Sequence, residues 1–399
     1  MEWNNNRTIE RLKKFAFPRL AGTTSLINAR DIIYEELKSV VPNASTEEFL
    51  CRNELKTVLR FWGFIFLGLI IAIPIFWMDF FWISMICAIA VIILNILAQG
   101  TLGRKQIFHL FKNRGPIKGY NIIGNISALE EEKKILVLGA HYDSKSSPSI
   151  LKKNEIIMIG SVLLINLAVI IFGILRFFIN YAFLWWFTFI LWIGSTLEFI
   201  SVLIYTMRYN VLNESPGVND NGSGVAVILE LAEIFSKKPP KYLTLAFSLF
   251  DAEEIGLQGA CAYVKFNSQK LLQKNAWMIN FDEIGGGFPL KVILKGGFPS
   301  IDYGKELMPI FRKVVQKNSQ LLEIQNEKKI ILNKSSFTSQ TDHAPFFISS
   351  IPCAYIYTSN KKRHSINDDW EAFKSESIEP CGLLLEEFIT TLDDELSQI

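Results

Sequence analysis

Acidic and imidazole side chains gather in a few short polar stretches of this chain. His141 and Asp143 lie in HYD, Asp220 in NDNGSG, Glu253 and Glu254 in DAEE, Asp282 in NFDE and His364 in RHSINDD. Carboxylates and imidazoles are the usual ligands of a catalytic zinc site, which keeps one position open for water. Two ions about 3.5–4 Å apart need a shared bridging group and further ligands on each side. This set is large enough to supply both. In HYD, an Asp two residues after a ligand His is placed to accept the imidazole's second N–H, which makes Asp143 an orienting group. The glycines after Asp220 permit close backbone approach and a helix start, and a carboxylate there could bridge two cations. Of Glu253 and Glu254, one can bind metal while the other takes the proton from the metal-bound water. Each stretch alone is commonplace: an HxD is usually structurally neutral, and an EE pair is usually a solvated turn. Their joint occurrence is what points to a metal site. The chain has four histidines. His109 falls in a basic segment, while the other three sit beside acidic residues or in polar loops after apolar runs.

Those apolar runs are the elements that must position the chemistry. Lys134 to Ala140 (KILVLGA), Leu243 to Phe250 (LTLAFSLF), Ala276 to Phe281 and Ala354 to Tyr357 read as buried strands. Between them, Gly224 to Phe235, Gly259 to Phe266 and Lys305 to Gln316 read as helices. Strands alternating with helices predict an α/β fold with a largely parallel sheet covered by helices. Ligands in such sheets bind beyond the carboxyl ends of the strands. His141 and Asp143 directly follow one strand, Asp251, Glu253 and Glu254 a second, and Asp282 and Glu283 a third.

Half of the 399 residues are hydrophobic and a fifth are charged, above the apolar share of an ordinary soluble domain. The excess is concentrated. Phe61 to Met78 and Phe80 to Gly103 carry no charge, and neither does Ile156 to Leu175; Tyr181 to Tyr205 has only Glu198. Each stretch approaches the roughly 20 apolar residues that a bilayer crossing needs. The expectation is four transmembrane helices in two hairpins, at 60–103 and 154–205, with Glu198 at the interface. Residues 1–59, 104–153 and 206–399 would then form one discontinuous domain. Basic residues flank the spans on the large-domain side, with Arg176 alone in the opposite turns. The positive-inside rule therefore predicts an integral, multi-pass protein with its catalytic domain on the cytoplasmic side. The five cysteines show no metal-finger spacing and read as free thiols. The net charge of +2, with aromatics clustered away from basic stretches, argues against a nucleic-acid partner.

In order and surroundings, these motifs resemble the M28 family of zinc aminopeptidases. The resemblance rests on GAHYDS at 139–144, GVNDNGSGVA at 217–226, FDAEEIGLQGA at 250–260, NFDEIG at 280–285, TDHAPF at 341–346 and the late His364. It covers nearly all of the chain outside the apolar hairpins. It implies a three-layer sandwich with a mixed sheet, of the zinc-dependent exopeptidase type. It also implies two zinc ions, with His141 and Asp282 on one, Glu254 and His364 on the other, and Asp220 bridging them. Glu253 would be the general base and Asp143 would orient His141. Asp342 and His343 would lie behind the ligands or face the substrate, which would be the N-terminus of a peptide or protein. The hairpins depart from the family pattern, the second one separating HYD from VNDN.

Three other readings compete. HYDSK also resembles glutaminyl cyclases, acyltransferases that use one zinc, but Asp followed by Asn in NDNGSG looks more peptidase-like. A receptor-like, non-catalytic relative would have lost ligands that are all present here. A transporter should carry inward-facing polar groups in its spans; apart from Glu198, Asn95 and Asn166 these spans carry almost none.

Overall fold

The computed structural model describes residues 3–52, 113–146, 211–296, 300–336 and 341–398, with isolated positions between 164 and 197. The chain divides into two compact units, one of Met1–Arg52, Arg104–Ser146 and Leu212–Ile399, the other of Asn53–Gly103 and Ser147–Val211.

The first unit is built on a nine-stranded mixed sheet. Its strands are β1 (Ser45–Cys51), β2 (Ile117–Ile126), β3 (Lys134–His141), β4 (Leu243–Phe250), β5 (Trp277–Asp282), β6 (Leu290–Gly296), β7 (Ile301–Asp302), β8 (Ile330–Ser336) and β9 (Cys353–Tyr357). The order is β1-β2-β4-β3-β5-β9-β6-β7, with β8 also on β6. The central ladder β4-β3-β5-β9 is parallel, whereas β1, β2 and β7 pair antiparallel and β6 runs antiparallel to β9. The sheet is thus parallel where the site residues emerge and antiparallel toward its edges.

Both faces of the central strands are buried, which is why they read as continuous apolar runs. On β3, Leu136, Leu138 and Ala140 enter one core cluster while Ile135 and Val137 enter the other. On the first face pack α1 (Asn5–Phe15), α2 (Thr24–Val40), α3 (Gly224–Lys237) and, later in the chain, the helix Ile378–Leu396. The second face is covered by α4 (Gln258–Gln273) and by the short helix His343–Ile348. The result is three layers, as the motifs implied. Helix α3 is buried along most of its length, including Glu230 at its centre. Glu230 accepts hydrogen bonds from Arg7 Nε at 2.8 Å and Arg11 Nη1 at 3.0 Å. Removing one partner of such a buried pair costs about 3–5 kcal/mol. This pairing locks α1 onto the helix that starts just after Asp220.

One expectation is corrected. Among the described residues no helix is long and apolar enough to cross a membrane. The four transmembrane helices in two hairpins, the bilayer as a partner and the integral multi-pass placement with a cytoplasmic catalytic side are therefore withdrawn. Segments 60–103 and 154–205, Glu198 among them, lie largely outside the described residues. The physical reason is that hydropathy counts apolar residues without showing what buries them. Helix α3 and strand β4 are rich in apolar residues, and here the core of a domain buries them. The four described cysteines, Cys51, Cys261, Cys353 and Cys381, are buried free thiols.

Candidate metal centre

The site lies at the carboxyl ends of the parallel strands. His141 is the last residue of β3, and its side chain is buried. Its Nε2 stands 3.4 Å from Asp220 Oδ1 and 3.6 Å from Asp282 Oδ1. Across the site, His364 Nε2 stands 3.3 Å from Asp220 Oδ2 and 3.1 Å from Glu254 Oε2. Two groups of potential metal donors result, His141–Asp220–Asp282 and Asp220–Glu254–His364. They share Asp220, which offers a different oxygen to each histidine.

Local structure explains how each side chain is aimed. Asp282 ends β5, and its Oδ2 accepts a 3.0 Å hydrogen bond from Thr341 Oγ1, itself held by Asn280 Nδ2. Asp220 sits in the tight segment Val218–Ser223 that leads into α3. Asn221 pins that segment, donating from Nδ2 to Phe281 O at 2.7 Å and accepting from Gly224 N. Gly224 is needed there, because a Cβ would lie 2.4 Å from Asn221 Oδ1. His364 has a left-handed backbone at φ 55°, as has Glu283 at φ 52°. Non-glycine residues hold such angles where surrounding contacts over-determine them. One such contact is made by Asp368, which accepts from Asp220 N (3.0 Å) and from Asn360 Nδ2 (2.7 Å), joining the Asp220 and His364 loops.

Asp143 makes a divided set of contacts. His141 Nδ1 donates to the Asp143 main-chain oxygen at 3.1 Å, with the Asp143 carboxylate at 3.4 Å. The two carboxylate oxygens accept instead from Glu253 N and Glu254 N, each at 3.1 Å. Asp143 therefore ties the strand-end histidine to the turn that carries both glutamates. Asp342 is fully buried, and neither of its oxygens has a hydrogen-bond partner among the described residues. His343 is in neither donor group; its ring is stacked on Tyr355 at 5.3 Å and tilted against Tyr303.

The donors fit a metal. Asp282 Oδ1 and Glu254 Oε1 are buried without a hydrogen-bond partner among the described residues. A buried carboxylate oxygen in that state is costly unless a cation compensates it. Nitrogen and carboxylate donors suit zinc, and also manganese or cobalt. The electrostatics point the same way. Burial would push His141 down, but the Glu253, Asp143, Asp220 and Asp282 carboxylates outweigh it and hold the imidazole well above its ordinary value. Burial would raise Glu254, yet His364 and Lys145 hold it well below the usual carboxylate range. Burial drives Glu253 well above that range against the pull of His141, with Glu254, Asp342 and Asp282 adding to the rise.

Residues 201–389 match the family described as Peptidase family M28. That stretch of the chain is similar to the M28 peptidases. The Aminopeptidase YwaD of Bacillus subtilis is 39% identical over 84 residues, covering 21% of this chain and 18% of that protein. The chain spans less than half the length of the curated relatives it matches. Among solved structures, a glutaminyl cyclase from an Acidobacteriales bacterium superposes with a TM-score of 0.56 at 14% identity, over 99% of this chain and 96% of that one. BSAP, a zinc aminopeptidase from Bacillus subtilis, superposes with a TM-score of 0.54 at 14% identity, over 97% and 94%. At these identities the likeness speaks for the fold alone. The M28 match itself makes the kinship one with hydrolases.

Several site residues carry little sequence signal. Asp368 stands in the NDD that follows His364, and only its position after that histidine could have marked it. Thr341 precedes the TDHAPF aspartate. Arg19 has no marker at all, yet it is fully buried and donates to the carbonyls of Tyr142 (2.6 Å), Phe17 (3.1 Å), Gly217 (2.8 Å) and Pro216. It thereby links the HYD strand end to the start of the Asp220 loop. Burial lowers Arg19 to about 10 against the raising pull of Asp368, Asp143, Asp220 and Glu254.

Proposed function

We propose that the chain is a zinc metallopeptidase that removes N-terminal residues from peptides, with two ions shared through Asp220. The observation that carries this reading is the Asp220 carboxylate itself. One of its oxygens faces His141 and the other faces His364, at 3.4 and 3.3 Å. A bridging ligand of a two-metal site needs this disposition. The M28 match supports a peptidase, and the relatives named aminopeptidases support an exopeptidase.

His141 and Asp282 would hold one ion, and Glu254 and His364 the other. Bound zinc would supply Lewis acidity, polarising the scissile carbonyl and making water a better nucleophile. The chain's own residues do the rest. Glu253, half-buried beside the donors, accepts the proton of the attacking water and returns it to the departing amine. Asp143 holds Glu253 in place through its backbone N–H and keeps the His141 ring oriented. The environment that raises Glu253 makes it a stronger base.

The test is a comparison of the purified protein with Glu253→Gln. Bound metal is measured by elemental analysis, and turnover is followed on aminoacyl anilides and on a glutaminyl peptide. The variant is expected to keep its metal and to lose about a hundredfold or more in rate, the low end for a general base. Undiminished hydrolysis by the variant would remove Glu253 from the mechanism. Cyclisation of the glutaminyl peptide without anilide hydrolysis, with one zinc per chain, would replace the peptidase reading by the cyclase one.

A further inference from the structure

Lys145 follows the HYDS motif and is buried at 8% exposure. Its ammonium lies 2.8 Å from Glu254 Oε2 and also donates to the Glu254 carbonyl oxygen at 3.2 Å. The same Oε2 faces His364 Nε2 at 3.1 Å. A fixed positive charge thus already sits on a carboxylate of the Asp220–Glu254–His364 group. In the His141–Asp220–Asp282 group, Asp282 takes only a neutral donor, Thr341, on Oδ2, and the oxygen that faces His141 is the other one, Oδ1.

We propose that Lys145 makes the two metal positions unequal, by competing with a cation for Glu254. The inference rests on the metal reading above and deepens it. An ion entering between Glu254 and His364 must share Oε2 with an ammonium or take Glu254 through the other oxygen alone. Either way it loses part of a ligand. It also meets a like charge across a buried, poorly screened gap. The ammonium cannot simply swing aside, because leaving would forfeit its bond to the Glu254 carbonyl as well as the ion pair. The position held by His141 and Asp282 therefore fills first and tightly, and the one held by Glu254 and His364 fills second and weakly. Lys145 is a positioning residue in this scheme: it acts on the second ion through Glu254.

Zinc titration of the metal-free full-length chain by calorimetry, at fixed pH and with a competing chelator, reads this directly. The wild type should show a tight step and a separate weaker one. Lys145→Met should tighten the weaker step about tenfold or more, the least that removing a like charge from a buried site predicts, and leave the first step unchanged. Lys145→Gln, which keeps a donor for the Glu254 carbonyl, should do the same, and circular dichroism checks that both variants fold. A wild type that binds one zinc beside variants that bind two would also support the proposal. Equal steps in the wild type, or a second step that is unchanged or weaker in both variants, would overturn it while leaving the two-metal reading intact. No zinc uptake by any form would overturn both.

Discussion

Replacing Asp143 by asparagine tests how the strand end and the glutamate turn are held together. The carboxylate accepts from Glu253 N and Glu254 N at 3.1 Å each and stands 3.4 Å from His141 Nδ1. Hydrogen bonds to a charged group contribute about 1.5–3 kcal/mol each. An asparagine offers one oxygen, so it can keep one of the two N–H groups and turns its own NH2 toward the other. The expected loss is about one such bond plus a donor-donor conflict, roughly 2–4 kcal/mol. Alanine would abandon both N–H groups and should lose more than asparagine does. Urea unfolding followed by tryptophan fluorescence, in chelator so that metal does not add its own stabilisation, measures the difference. Because the Asp143 carboxylate also holds the backbone of Glu254, a candidate metal donor, metal affinity should fall about 10- to 100-fold, as for other groups that orient ligands. An asparagine variant within about 0.5 kcal/mol of the wild type, the range of neutral surface changes, with unaltered zinc affinity, would refute this account of Asp143.

Two further outcomes are expected. Arg19→Met should destabilise the metal-free protein by at least about 3 kcal/mol, since several carbonyls lose a charged donor at once; urea unfolding measures this, and Arg19→Lys should recover part of the loss. Asp251, buried and beside Asp143, is pushed up to about 8 from an ordinary 3.8. The folded chain then binds more protons than the unfolded one between about pH 4 and 8, so stability contributed by this group falls as pH rises through that window. Asp251→Asn should remove that slope and be the more stable form at pH 8, and pH-dependent urea unfolding that shows parallel curves for the two proteins would contradict it.

The legible part of the site was its donor list and its strand ends. His141, Glu254 and Asp282 follow apolar runs that need to be buried on both faces, and such runs form the middle of a parallel sheet. Their burial pattern alone brings three strand ends to one edge. The motif segment 217–226 likewise carried its own loop-to-helix turn, in the glycines around Asp220. Hydropathy led to four membrane spans, yet among the described residues no helix is long and apolar enough to cross a membrane, and composition alone does not distinguish burial in a core from burial in a bilayer. His343 lies in TDHAPF beside the buried Asp342, and its packing among Tyr355, Tyr303 and Phe347 was not legible in the motif.

By itself the sequence determined which residue types are available for metal chemistry, the α/β order of elements and the strand ends from which the candidate donors project. These follow from local periodicity and short spacings. Only the tertiary structure decided that Asp220 lies between the two histidines, and that Asp143 holds the glutamate turn by its backbone. It also decided that Lys145 reaches Glu254 and that Arg19 ties two loops together. Those pairings join residues about 80 to 200 positions apart. Contacts of that range leave no periodic trace, since they depend on which strands lie side by side and not on the residues next in line.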